Sequence, residues 1–87
     1  MPQDAVDPIP VACEIVTAIQ TMVTRRFNAH DPVVVTIAAI QAGTAHNVIP
    51  DRVTMKGTMR TLSATHRQSV QDALHLLVAG IAGAHGL

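Results

Sequence analysis

Two long helix-forming segments enclose only two strand-forming segments, and this imbalance is the strongest constraint on how the chain can fold. Apolar residues recur with a helical period over about residues 8–27 and again over about residues 64–84. Between them, β-branched segments predict strands at about residues 33–42 and 52–62. Three or more strands are normally needed to cover a layer of helices stably. We therefore expect one α+β domain, residues 1–87, whose sheet is incomplete.

The order helix–strand–strand–helix is the centre of a split βαβ, ferredoxin-like unit. We predict a partial ferredoxin-like fold, with an antiparallel sheet, two helices on one of its faces, and outer strands that lie outside this segment. Asp7 before Pro8 is a typical helix start, and Ser63 is the expected N-cap of the second helix. Gly83 and Gly86 mark the expected end of that helix.

The first strand is apolar on both faces, whereas the second alternates between apolar and polar residues. One face of the first strand can cover the helices, but the other face also requires cover. This pattern predicts burial in an interface. The residues expected there are Val33, Val34, Val35, Thr36 and Ile37.

Composition excludes several classes of function. Six basic residues balance six acidic ones, so the chain lacks the positive excess that nucleic acids and membrane surfaces attract. Phe27 is the one aromatic residue apart from histidine, which argues against base stacking. Cys13 is the single cysteine and cannot form an internal disulfide. The first residues lack a signal-peptide pattern and no apolar run has membrane-spanning length, so we expect a cytoplasmic protein.

The histidines do not have the spacing of a metal site, and we predict none in this segment. They are His30, His46, His66, His75 and His85. Asn47 and Arg60 are better candidates for a site, because an amide and a guanidinium can together bind a carboxylate. On spacing alone, a turn-forming asparagine and a solvated arginine are the favoured interpretation.

Residues 43–51 (GTAHNVIPD) and 57–60 (GTMR) resemble a signature of M20-type metallopeptidases. Within that family they are most similar to the amidohydrolase branch of hippurate hydrolase and the indoleacetyl-amino-acid hydrolases. Residues 1–9 (MPQDAVDPI) resemble the start of the family's first lid helix, with Gln3 where the family has histidine. The similarity extends over essentially the whole chain.

The resemblance implies a lid that is inserted into a catalytic domain and forms a homodimer through its edge strand and first helix. The divalent metals, Zn or Mn, would be bound by the catalytic domain, so this segment alone would be inactive. Asn47 and Arg60 would bind the carboxylate-bearing substrate, an N-acyl amino acid, with His46 beside them. No catalytic residue is expected here. The alternative is a free-standing α+β module that dimerises or binds a ligand without catalysis.

Overall fold

The computed structural model describes residues 6–27 and 32–87, in the order helix, strand, strand, helix. Helix α1 spans Pro8–Arg26, strand β1 spans Val34–Ala42, strand β2 spans Val53–Arg60, and helix α2 spans Ala64–Ala84. The strands form a two-stranded antiparallel sheet. The predicted α+β, partial ferredoxin-like class is confirmed. Gln3 and residues 28–31 lie outside the described residues.

Both helices begin at the predicted caps. The Oδ1 atom of Asp7 accepts a hydrogen bond from the backbone N–H of Ile9 at 3.0 Å, and Pro8 occupies the first turn. The Oγ atom of Ser63 accepts from the N–H of His66 at 2.9 Å. Each bond satisfies one of the helix-terminal N–H groups that have no partner within the helix.

Helix α2 ends at one of the two predicted glycines. Gly86 has a φ of 80° and follows the C-cap residue His85, so it takes the left-handed conformation that only glycine adopts at little cost. The N–H of Leu87 then donates to the carbonyl of Ala82 at 2.8 Å. Gly83, by contrast, lies within the helix.

A β-bulge in β1 explains why that strand looks apolar on both faces. Ile37 is opposite Gly57, but Ala39 is opposite Lys56, so Ala38 is an extra residue in β1. The bulge shifts the alternation by one residue, and Ile37 and Ile40 consequently face the same side of the sheet. Odd-numbered residues therefore face the helices before the bulge, and even-numbered residues face that side beyond it.

The hydrophobic core lies between α1, α2 and one face of the sheet. Val70 of α2 is fully buried, and the other buried members of this cluster come from α1 and from the start of β1. They are Val11, Ile15, Ile19, Val33 and Val35. Two of the five residues predicted for an interface, Val33 and Val35, thus have side chains in the core of their own chain. Of the five, Val34 and Thr36 are exposed.

The molecule is long and thin for its size. Its radius of gyration is 14.9 Å and its extents are 50 × 23 × 17 Å. A compact domain of this length would have a radius of gyration of about 12 Å. The elongation follows from a core that only two strands cover, and it leaves large apolar side chains such as Leu62 and Leu76 exposed.

Candidate functional site

Asn47 lies in the loop that joins the two strands. Gly43, with a φ of 81°, starts this loop, and the N–H of Val48 donates to the carbonyl of Ala45 at 3.3 Å to close a turn around Asn47. The Asn47 side chain is exposed and makes no hydrogen bond within the described part of the chain. The amide is therefore available to a ligand.

The same loop borders an open concavity of about 410 Å³ next to the start of α1. His46 lines it, together with Ile9 and Pro50, whereas Asn47 does not. Of the predicted substrate-binding residues, His46 therefore faces this concavity.

Arg60 is the last residue of β2. It pairs with Val34, and the register places its side chain on the sheet face away from the helices, with Thr58 and Lys56 along the same row. Among the described residues, neither Arg60 nor Lys56 has an ion-pair partner. This face of β2 therefore presents uncompensated positive charge.

One chain does not bring Asn47 and Arg60 together. The loop precedes β2 and Arg60 ends it, and the eight residues of the strand span about 25 Å at a rise of 3.3 Å per residue. Neither residue lines the two concavities that border the loop. Their joint action on one small substrate stays a prediction.

Gln20 makes a long-range side-chain contact that the sequence did not reveal. Its Nε2 atom donates to the carbonyl oxygen of Val35 at 2.8 Å, from the side of α1 to the backbone of β1. A polar residue beside the apolar stripe of a helix is ordinarily solvated, so periodicity gave no signal for this bond.

The described residues do not fit a metal site. They contain no group of three or more His, Cys, Asp or Glu side chains able to hold an ion. His85 and Glu14 approach each other at 2.8 Å, but both are largely exposed and no third ligand joins them. We therefore assign no chemical step to a metal in this segment.

No helix within residues 6–27 and 32–87 is long and apolar enough to cross a membrane.

The structure is a small α+β domain whose two-stranded sheet is open along the outer edge of each strand. The family profile described as the peptidase dimerisation domain of M20 proteins matches residues 1–85, and the chain belongs to that family. It is 38% identical over 86 residues to the N-acetylcysteine deacetylase of Bacillus subtilis. It has the same identity, over 86 residues, to an N-acyl-L-amino acid amidohydrolase of Geobacillus stearothermophilus. The match covers 99% of this chain and 23% of each relative, so the chain spans about a quarter of their length.

Two crystal structures share the fold. One is a candidate aminohydrolase from methicillin resistant Staphylococcus aureus, with a TM-score of 0.88 and 32% identity over 98% of this chain and 22% of that one. The other is the Bacillus subtilis YXEP protein, described as a dinuclear metal binding peptidase from the M20 family. Its TM-score is 0.76, with 37% identity over 93% of this chain and 20% of that one.

Proposed function

We propose that this chain is the dimerisation and substrate-capping segment of a metal-dependent amidohydrolase that cleaves N-acyl amino acids. Membership of the dimerisation-domain family supports the assembly role. The names of the relatives, a deacetylase of N-acetylcysteine and an N-acyl-L-amino acid amidohydrolase, support the substrate class. The divalent metal, Zn or Mn, would be held by residues of the catalytic domain outside this segment, and the enzyme would be cytoplasmic.

The open edge of β1 is the observation that carries the proposal. β1 and β2 each pair on one side only, and an unpaired strand edge is a template for another strand. In the ferredoxin-like order the free side of β2 is taken by the strands outside this segment, which leaves β1 as the edge strand. A second copy of the chain, related by a two-fold axis, would add its own β1 antiparallel to the first. Val34 and Thr36 would then lie in the interface, and α1 would lie beside its mate.

The charge distribution favours that antiparallel arrangement. The arginine end of the domain, where α1 ends and α2 begins, carries Arg25, Arg26, Arg60 and Arg67. At the opposite end, which we call the loop end, the described acidic residues Asp7, Glu14 and Asp51 outnumber Arg52, the one lysine or arginine there. Antiparallel pairing brings the arginine end of each chain beside the loop end of its partner, which gives complementary potentials.

The same arrangement would bring Arg60 of one chain close to Asn47 of the partner subunit. Arg60 is next to Val34, at the start of β1, and the partner's loop follows the end of its own β1. Two adjacent strand spacings amount to about 10 Å, which an arginine side chain and a bound carboxylate can bridge. In the proposed site, Arg60 binds the substrate carboxylate and Asn47 of the partner subunit hydrogen-bonds the substrate.

The test of the site is Arg60→Ala in a polypeptide that joins this segment to its catalytic domain. Loss of a charge-assisted bidentate contact should lower kcat/KM for an N-acetyl amino acid at least tenfold, mainly through a higher KM. Arg67→Ala is the matched control, because Arg67 is an exposed arginine on the adjacent helix. Unchanged kcat/KM in the Arg60 variant would remove that residue from the site.

A further inference from the structure

The open edge of β1 is not uniform, because a side chain already occupies part of it. The Thr36 carbonyl oxygen points towards β2, since a Cβ placed on Gly57 would lie 2.3 Å from it. Successive carbonyls along a strand point in opposite directions, so the Val35 carbonyl points to the open edge. That carbonyl is the one that accepts the hydrogen bond from Gln20.

The rest of the open edge is free. Among the described residues, no other side chain hydrogen-bonds a backbone group of β1. The edge therefore has two parts. At the start of the strand, Gln20 occupies the Val35 carbonyl, whereas residues 37–42 are available to pair with another strand. A partner strand that paired at Val35 would have to displace Gln20 from the carbonyl and leave a polar group without its partner.

We infer that Gln20 sets the register in which two copies of the chain pair through β1. This inference rests on the proposed strand-mediated dimer and adds the position of its two-fold axis. With Val35 closed, the intermolecular ladder is confined to residues 37–42, and its centre lies at Ala39 and Ile40. Gln20 is thus a positioning residue that acts through the strand edge.

This register has a consequence for the proposed site. If the two-fold axis of the dimer passes between Ala39 and Ile40, the position of Val34 is opposite residue 45 of the partner. Asn47 of the partner subunit is two residues further along and then lies beside the start of β1, two strand spacings from Arg60. An axis at residue 38 or earlier would move the partner's loop along the strand by at least three residues, about 10 Å, and away from Arg60.

Distances between spin labels measure the register directly. Thr36 and Gln41 both lie on the sheet face away from the helices, opposite Thr58 and Thr54. Each is changed to cysteine in turn, in a chain whose native Cys13, which is exposed, is replaced by serine. An axis at Ala39 and Ile40 places the two labels at position 41 closer together than the two at position 36. An axis at residue 38 or earlier reverses that order.

Gln20→Ala should broaden both distance distributions and shorten the separation at position 36, because the Val35 carbonyl becomes available to the partner. Thr24→Ala is the control, because the Thr24 hydroxyl bonds only the carbonyl of Gln20 within α1 and should leave the distances unchanged. A dimer with the shorter distance at position 36, or distances that Gln20→Ala does not alter, would overturn the inference and leave the proposed dimer standing. A monomer with no intermolecular distance would contradict both.

Discussion

Gly57 lies opposite Ile37 in the β1–β2 ladder, where the backbone of β1 leaves no room for a side chain on β2. A Cβ built on Gly57 would stand 2.3 Å from the Thr36 carbonyl oxygen and 3.2 Å from the Cδ1 atom of Ile37. The first of these neighbours is backbone and cannot rotate away. Glycine is therefore required here by the approach of the adjacent strand, directly before the bulge in β1.

Gly57→Ala should consequently destabilise the chain by about 1–3 kcal/mol, the usual cost of forcing a methyl group into a closed space. The free energy of unfolding is measured by urea titration with circular dichroism. Gly80→Ala is the matched control, since a Cβ on Gly80 meets nothing within 4 Å. That helical substitution should stabilise by about 0.8–1 kcal/mol. Equal unfolding midpoints for the two variants would show that the close approach is absent.

Ser63→Ala tests the cap of α2. Loss of the hydrogen bond from the His66 N–H to the Ser63 Oγ atom leaves a helix-terminal donor without its partner. We expect a loss of about 1 kcal/mol in the free energy of unfolding. Ser69→Ala, at an exposed position inside the same helix, should instead be neutral or stabilising by up to about 0.5 kcal/mol. If the two variants shift thermal unfolding in the same direction, the capping role is disproved.

The features that depend on interactions between residues close in sequence could be predicted from the sequence. Asp7 and Ser63 predict helix starts because a side-chain oxygen satisfies nearby N–H groups, and both do so in the structure. The strict alternation of β2 also predicts its faces, since Met55 and Met59 contact the core. These interactions link residues within a few positions of each other, so a short window of sequence contains them.

The features that depend on how helices and strands pair with one another could not be predicted from the sequence. Ala38 and Ala39 fit either face of a sheet, so β1 alone does not reveal the bulge; the register against β2 decides it. The bond from Gln20 to Val35 joins residues 15 positions apart and depends on how α1 lies on β1. Asn47 and Arg60 could be placed on a loop and at a strand end, but the site that we propose for them combines two copies of the chain, and no pattern within one sequence reveals that pairing.

The isolated chain should not hydrolyse N-acyl amino acids. Its described residues provide no cluster able to hold a metal ion. We expect hippurate and N-acetylcysteine, each with Zn²⁺ or Mn²⁺, to show no turnover above the buffer and metal alone. Release of free amino acid is measured over hours by liquid chromatography. Metal-dependent turnover that persists after repurification and disappears on heat denaturation of the chain would contradict the assignment of the catalytic groups to another domain.

A site shared between two chains predicts recovery of activity when two inactive variants are mixed. Asn47→Ala and Arg60→Ala, each in a polypeptide with the catalytic domain, should both have strongly reduced kcat/KM. In a hybrid dimer, one site loses both residues and the other keeps Asn47 from one chain and Arg60 from its partner. Random exchange of subunits should therefore restore about one quarter of the wild-type activity, as two-fold symmetry requires.

The control for this experiment is a mixture of Asn47→Ala with the double variant that lacks both residues. No combination of those chains contains Asn47, so activity should stay at the level of the single variants. The extent of subunit exchange is measured separately with chains that carry different affinity tags. Full exchange without recovery in the first mixture would show that each site takes Asn47 and Arg60 from the same chain. That result would contradict the shared site, because the proposed antiparallel dimer places Arg60 beside the partner's loop, whereas within one copy the length of β2, about 25 Å, separates Arg60 from Asn47.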